Sequence, residues 1–450
     1  MNFYLLLLCF NFVLTSIIHQ RNIRAFSSLT TKEKYKVQGL KLADDSIKDL
    51  GYAGNIDIRN NTANLFFWYF EAQNTLVKNP PLVIWLQGGP GASSMIGLFN
   101  MNGPIKLNQK NEIIKNKNNW NKDYSILYID QPVGTGFSKI NKNNAKDIDE
   151  NKKCYNKEGY AHLQCGVGKD LVEFLVEFRK LFEITNNNSI YITGESYAGK
   201  FIPVFANELI QFNKIHKDNI NEQFSLKGIA IGNGLTDPVS QIKVYGPLGL
   251  SMGLLTPKQS RYINELSSSA IVLTFQKKWE EAYNKREEIF EYYKKATYDV
   301  DYYDIRLGNK HLSWKQMEDY LNLKQSKLAL NVDLSYNFTV KNSLVKEALK
   351  EDSMKSVVPL FKNFKDLKML FFQGQFDYRD GAMSQYEWLY HEYPCLEKAK
   401  RVDWYVNNEL AGYKTKCKKI LHAIVLQAGH RVGHDQPERA LDLIDQFIKE

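Results

Sequence analysis

Gly194-Glu195-Ser196-Tyr197-Ala198-Gly199 decides how this chain is read, because it sets a serine at the centre of Gly-x-Ser-x-Gly between two unlike runs. Before it, Ser189-Ile190-Tyr191-Ile192-Thr193 is short, apolar and β-branched, the pattern of a buried strand. After it, apolar residues recur at helical spacing through 197–212. The serine therefore falls on a strand-to-helix turn. Glycines on both sides let the chain bend sharply with no Cβ in the way, which leaves the hydroxyl exposed over a helix N-terminus. A serine held this way can serve as a nucleophile if the chain also supplies a base and an acid to orient that base.

Working outward, the segments 65–71, 82–86, 125–129, 189–193, 226–231, 368–372 and 420–426 read as strands, several of them apolar throughout. Continuous apolar runs suit strands covered on both faces. Helical patterns at 168–182, after Ser196 and at 437–449 alternate with them, which implies α/β architecture around a mostly parallel sheet. Between 238 and 360 the pattern changes to polar helical segments rich in Lys, Glu and Tyr, such as 276–295, with no β-run. The expected organisation of the 450 residues is thus a core in two parts, 21–237 and 361–450, interrupted by an inserted helical lid at 238–360. No repeat at solenoid spacing is present.

The formal charge of +9 comes from scattered lysines. No basic stripe interleaved with aromatics marks a nucleic-acid surface, so a solvated basic surface is the plain reading. Residues 4–18 are apolar, too short for a comfortable membrane span and placed where a signal peptide belongs. A signal peptide at 1–20 predicts entry into the secretory pathway, with an uncleaved anchor as the alternative because no clean small-x-small cleavage site is present, and no downstream segment predicts a membrane association beyond it. Of five cysteines, Cys9 would leave with that segment, which leaves Cys154, Cys165, Cys395 and Cys417. Three pairings are possible; proximity favours Cys154 with Cys165 and Cys395 with Cys417, and buried free thiols are the alternative. Sequons at Asn60, Asn187 and Asn337 suit the same compartment.

The base and acid lie downstream. Asp377 ends an apolar run in Gly374-Gln375-Phe376-Asp377, and His430 follows another in Ala428-Gly429-His430. The order Ser, Asp, His is that of α/β-hydrolases. Asp380 and Asp366 compete with Asp377, and His434 and His422 with His430; position at a strand end favours the first of each set. Asp130 and Asp237 read as turn or structural residues rather than catalytic ones. The Gly88-Gly89-Pro90-Gly91 loop lacks the Lys-Ser/Thr ending of a phosphate loop. No cluster has metal-ligand spacing, and acyl transfer through a serine requires no cofactor.

Six segments together resemble the serine carboxypeptidase family, most of all its vitellogenic-carboxypeptidase-like branch. They are 85–94 (WLQGGPGASS), 129–138 (IDQPVGTGFS), the elbow, 232–238 (GNGLTDP) and the Asp377 and His430 neighbourhoods in the right order. The resemblance runs from about residue 52 to 447 and is weak in the insert. It implies an α/β-hydrolase fold and removal of C-terminal residues from peptides and proteins through an acyl-enzyme, with Ser196 as nucleophile, His430 as base and Asp377 orienting it. The amides of Gly89 and Tyr197 would form the oxyanion hole. Gln87, Gly88 and Glu195 would meet the substrate carboxylate, and the compartment would be secreted or lysosome-like. Family members are often dimers.

Two positions depart from the family pattern. The family pairs Glu195 with a second glutamate, and that position is Met101 here. Two close carboxylates raise each other's pKa, so that one stays neutral and donates to the substrate. Arg431 stands where the family usually has methionine, and it offers a charge for the substrate carboxylate or for an acidic leaving residue. The alternatives to a carboxypeptidase are an esterase or acyltransferase on the same triad, or a family member that binds without catalysis.

Overall fold

The computed structural model describes residues 32–43, 47, 49–141 and 153–450. The expected signal peptide lies outside the described residues.

Alternating side chains on buried strands force two covered faces, and that is how the centre of the molecule is built. The strands are β1 (Tyr52–Ile58), β2 (Ala63–Phe70), β3 (Leu82–Leu86), β4 (Ile105–Leu107), β5 (Ile113–Lys115), β6 (Ser125–Asp130), β7 (Lys139–Ile140), β8 (Ser189–Glu195), β9 (Ser225–Gly232), β10 (Lys368–Gly374), β11 (Arg401–Val406), β12 (Glu409–Cys417) and β13 (Ile420–Val425). All but the β4–β5 hairpin form one sheet in the order β1-β2-β6-β3-β8-β9-β10-β13-β12-β11, with β7 on β2. The run from β6 to β13 is parallel throughout. Both edges are antiparallel.

Leu82, Ile84, Ile190 and Ile192 face helices α1 (Gln164–Phe182) and α2 (Ala198–Ile215), where Phe174, Phe178, Phe201 and Phe205 close one core. Val83, Trp85, Tyr128 and Tyr191 face the opposite side, covered by Leu443 and Phe447 of α5 (Pro437–Lys449). Each such fully buried side chain contributes about 2 kcal/mol or more.

Among the described residues the segment between β9 and β10 carries no strand. Its helices α3 (Pro257–Phe275) and α4 (Trp279–Thr297) enclose a third core of Ile263, Leu266, Ile289, Phe290 and Tyr293. The expected helix over 276–295 is interrupted: Lys277 adopts φ 60° and α4 starts only at Trp279. Neither long lysine side chain in Lys277-Lys278 signals that left-handed step. Helix α3 begins in a capping box of Thr256 and Gln259, an arrangement that contributes about 1 kcal/mol.

Cys154 is bonded to Cys165 and Cys395 to Cys417, the pairing favoured by proximity. Asn60, Asn187 and Asn337 are all exposed.

Candidate active site

The parallel strands β3, β8, β10 and β13 all end at the same edge of the sheet, and each hands its next residues to one cavity of about 300 Å³. Ligands of open α/β sheets bind at this end.

β8 delivers Ser196. Its φ of 64° is left-handed, costly for a residue with a Cβ, and the turn is held by Ser196 N–H donating to Gly232 O at 2.9 Å and Leu235 N–H donating to Ser196 O at 2.9 Å. The tightness explains the glycine at 88: a Cβ there would lie 2.4 Å from Tyr197 N and 2.9 Å from the Ser196 Cβ. Hence the loop after β3 crosses directly over the elbow. Among the described residues neither the Gly89 nor the Tyr197 amide donates to a protein acceptor, and Tyr197 stands at the N-terminus of α2.

Asp377 follows β10 and His430 follows β13. The His430 Nδ1 and Asp377 Oδ2 are 2.7 Å apart, and both residues are buried. Asn233 Nδ2 donates to the same Oδ2 at 2.7 Å, and the Arg379 and Asp380 amides donate to Oδ1 at 2.8 and 3.2 Å. With Nδ1–H directed to the carboxylate, Nε2 is the free lone pair, and it has no hydrogen-bond partner among the described residues. Burial works against the imidazolium, but Asp377, Glu195 and Asp380 outweigh it and hold the His430 pKa above its ordinary value.

The rival residues are engaged elsewhere. His422 sits against Gln373 Oε1 at 2.7 Å, and burial pushes its pKa down to about 3. His434 lies 3.2 Å from Asn100 O, and Asp366 pairs at the surface with Lys419. Asp380 is buried beside Arg379 and Gln241. Asp130 accepts from Ser93, Ser94 and Phe137 and is pushed up to about 7 by burial, while Asp237 caps the helix Pro238–Ile242. Asp130 thus closes strand β6 and Asp237 starts a helix, so both serve the structure.

Glu195 is 4% exposed and accepts from Gln87 Nε2 at 2.8 Å; Gln87 in turn accepts from Trp85 Nε1 at 3.1 Å. Burial raises the Glu195 pKa, opposed by the charges of His430 and Arg431 and by the Gln87 bond. Met101 does not line the cavity. It is buried on the π-helical turn Leu98–Asn102 among the apolar side chains of the α5 face, with its Cβ 3.1 Å from where a Cβ on Gly433 would stand. Arg431 does line the cavity, and its guanidinium lies 4.8 Å from the Tyr303 ring centre and 5.2 Å from that of Trp314. It stacks on aromatic rings, and among the described residues it pairs with no acid.

Several wall residues carried no signal in the sequence: Tyr302, Tyr303, Trp314, Lys341 and Lys346 come from the helical insert, and Arg379 from the loop after Asp377. The insert is tied to the triad by backbone. Tyr302 O accepts from Tyr378 and Arg379 N–H, each at 3.1 Å, and Ile305 N–H donates to Phe376 O at 3.2 Å. Tyr378 fills the insert's own core, stacked 4.2 Å from Tyr293.

Sheet, elbow and buried Asp–His pair define a serine hydrolase of the α/β-hydrolase class. The serine carboxypeptidase family model matches residues 43–450, and the chain belongs to that family. Three relatives illustrate its neighbourhood. It is 35% identical to "Probable serine carboxypeptidase CPVL" of Dictyostelium discoideum, over 86% of this chain and 76% of that protein. It is also 35% identical to the venom serine carboxypeptidase of Apis mellifera, over 88% of this chain and 84% of that protein. Identity to the vitellogenic carboxypeptidase of Aedes aegypti is 31%, over 88% and 83%. The crystal structure of a prohormone-processing carboxypeptidase, Kex1, from Saccharomyces cerevisiae superposes with a TM-score of 0.79 over 93% of this chain and 96% of that one; at 23% identity this speaks for the fold.

Proposed function

We infer that the protein removes C-terminal residues from peptides, with Ser196 as nucleophile, His430 as general base and Asp377 orienting it. The observation that carries this reading is the buried His430 Nε2, which has no hydrogen-bond partner among the described residues, while His430 lines one cavity with Ser196 and its Nδ1 is bound to Asp377. Nε2 takes the Ser196 proton as Oγ attacks the scissile carbonyl, then returns it to the leaving amine. The freed acyl-enzyme is hydrolysed by water through the same base. The Gly89 and Tyr197 amides stabilise the oxyanion by about 3 kcal/mol each.

Recognition of the free carboxylate falls to Gln87, Gly88, Glu195 and Arg431. Burial favours a neutral Glu195 that can donate to a carboxylate, and Arg431 adds the positive charge. In place of the family's second glutamate, this reading uses the Arg431 cation. Two disulfides and family membership agree with folding in the secretory pathway, and we propose a secreted or lysosome-like destination.

The test is hydrolysis of matched N-blocked dipeptides, one with a free C-terminal carboxylate and one amidated, by the wild type and Ser196→Ala. Release from the free acid only, lost in Ser196→Ala, is expected. Cleavage of both alike, or of small esters only, would instead favour an esterase or acyltransferase.

A further inference from the structure

The cavity wall is far more cationic than carboxylate recognition requires. Lys341, Lys346, Arg379 and Arg431 line it, against the carboxyls of Glu195 and Glu287. Glu287 is already paired with Lys346 at 3.0 Å, and Arg379 sits over Phe290 and beside Asp380. That leaves Arg431 and Lys341 without a carboxylate among the described residues. Both also line a second recess of about 160 Å³ behind Tyr303 and Trp314, with Lys294 at its edge. The acid there, Asp301, is occupied: Oδ2 meets His311 Nδ1 at 2.8 Å, and Oδ1 accepts from the Tyr303 and Asp304 amides at 2.6 and 3.1 Å.

The position of this recess fixes which part of a substrate it meets. Arg431 is close enough to Glu195 to oppose its pKa shift, and Gln87 and Glu195 form the carboxylate end of the site. Lys341 extends the same wall, anchored by a backbone bridge to Ala92 at the end of the Gly88–Gly91 loop. A residue whose α-carboxylate meets Gln87 and Glu195 therefore has Lys341 and the Tyr303 and Trp314 rings on the wall of the same cavity, rings that suit methylenes and an amine that suits an anionic end.

We propose that the protein prefers substrates whose C-terminal residue is aspartate or glutamate, with Lys341 reading the side-chain carboxylate while Arg431 faces the α-carboxylate. This rests on the exopeptidase reading above and extends it to substrate class. A neutral side chain leaves Lys341 without an anion; a lysine or arginine side chain is repelled by three cations.

The experiment compares kcat/KM for N-blocked dipeptides that differ only in a C-terminal Glu, Gln or Lys, together with their equilibrium binding to Ser196→Ala. The Glu peptide is expected to exceed the Gln peptide by roughly 10- to 100-fold, the range of a charge-assisted hydrogen bond, with the Lys peptide lowest. Lys341→Met should bring the Glu/Gln ratio close to one, Lys341→Arg should restore it, and Lys341→Glu should reverse the order of Glu and Lys. Equal wild-type values for Glu and Gln would overturn the proposal and leave the exopeptidase standing. Absence of any turnover, with Ser196→Ala still binding the Glu peptide more tightly, would overturn the exopeptidase and retain the anion-reading recess. Neither turnover nor selective binding would overturn both.

Discussion

The backbone carbonyl of Tyr303 accepts the N–H of His430 at 2.7 Å. A residue of the helical insert thus holds His430, the proposed general base, in place through a main-chain bond. Its ring also lies 4.7 Å from the imidazole. The triad is therefore positioned from two directions, by Asp377 from the sheet and by the 302–303 segment from the insert.

That segment is itself fixed by Asp301, whose carboxylate accepts from the Tyr303 and Asp304 amides. Asp301→Ala should lower kcat for an ester lacking a free carboxylate, and destabilise the fold by about 1 to 3 kcal/mol through loss of those bonds. Steady-state kinetics with thermal unfolding would show it; unchanged kcat would mean the insert does not position His430.

Ser196→Ala and Ser196→Gly should both reduce turnover by about 10⁴-fold or more. They should differ in stability. At φ 64° glycine is at ease and alanine is not, so the glycine variant should be the more stable by about 1 kcal/mol in denaturant unfolding.

Gly88→Ala would press a methyl group to within 2.4 Å of the Tyr197 amide nitrogen. Displacing one oxyanion donor costs on the order of 10²-fold or more in kcat. Burst kinetics with a chromogenic ester should show slowed acylation; a normal burst would place the oxyanion elsewhere.

pH dependence separates the two buried acids and bases. His430 must be neutral to act, and its pKa is held above the ordinary value, so activity on an uncharged ester should fall as pH drops through that raised value. With a free-carboxylate peptide the wild type should also lose activity as pH rises through the raised Glu195 pKa, because the ionised form cannot donate. In Glu195→Gln that alkaline loss should disappear. Parallel kcat/KM profiles on ester and peptide decide both points.

Removing the Cys395–Cys417 bond, which spans a separation of 22 residues, should cost about 3 kcal/mol by releasing the loop in the unfolded chain. Chemical denaturation of Cys395→Ser with Cys417→Ser against the wild type measures it.

The parts visible in the sequence are those whose physics is local. Leu82–Leu86, Ser189–Glu195 and Ile420–Val425 are buried on both faces, so they spell themselves out as apolar runs. Arg401–Val406 and Glu409–Cys417 do not spell out apolar runs, because they form the last two strands at one side of the sheet and carry charged side chains on their exposed positions. Tyr52–Ile58 was hidden by Gly54, Asn55 and Asp57, although Asn55 is occupied with Asn64 and the Phe137 carbonyl. The triad residues stand at strand ends within glycine-marked turns and could be found. Tyr303, Trp314 and Lys341 could not, because only the packing of a polar helical segment brings them to the wall. Met101 was legible as a departure from the family, but its withdrawal into the apolar core was not.

The link from Tyr303 to His430 also bears on when the molecule becomes dangerous to its neighbours. Ser196 is synthesised long before the insert, and the insert before the strand that presents His430. A chain still emerging from the ribosome has Ser196 without its proposed base, and the Tyr303-to-His430 contact can form only once the C-terminal strand has been made.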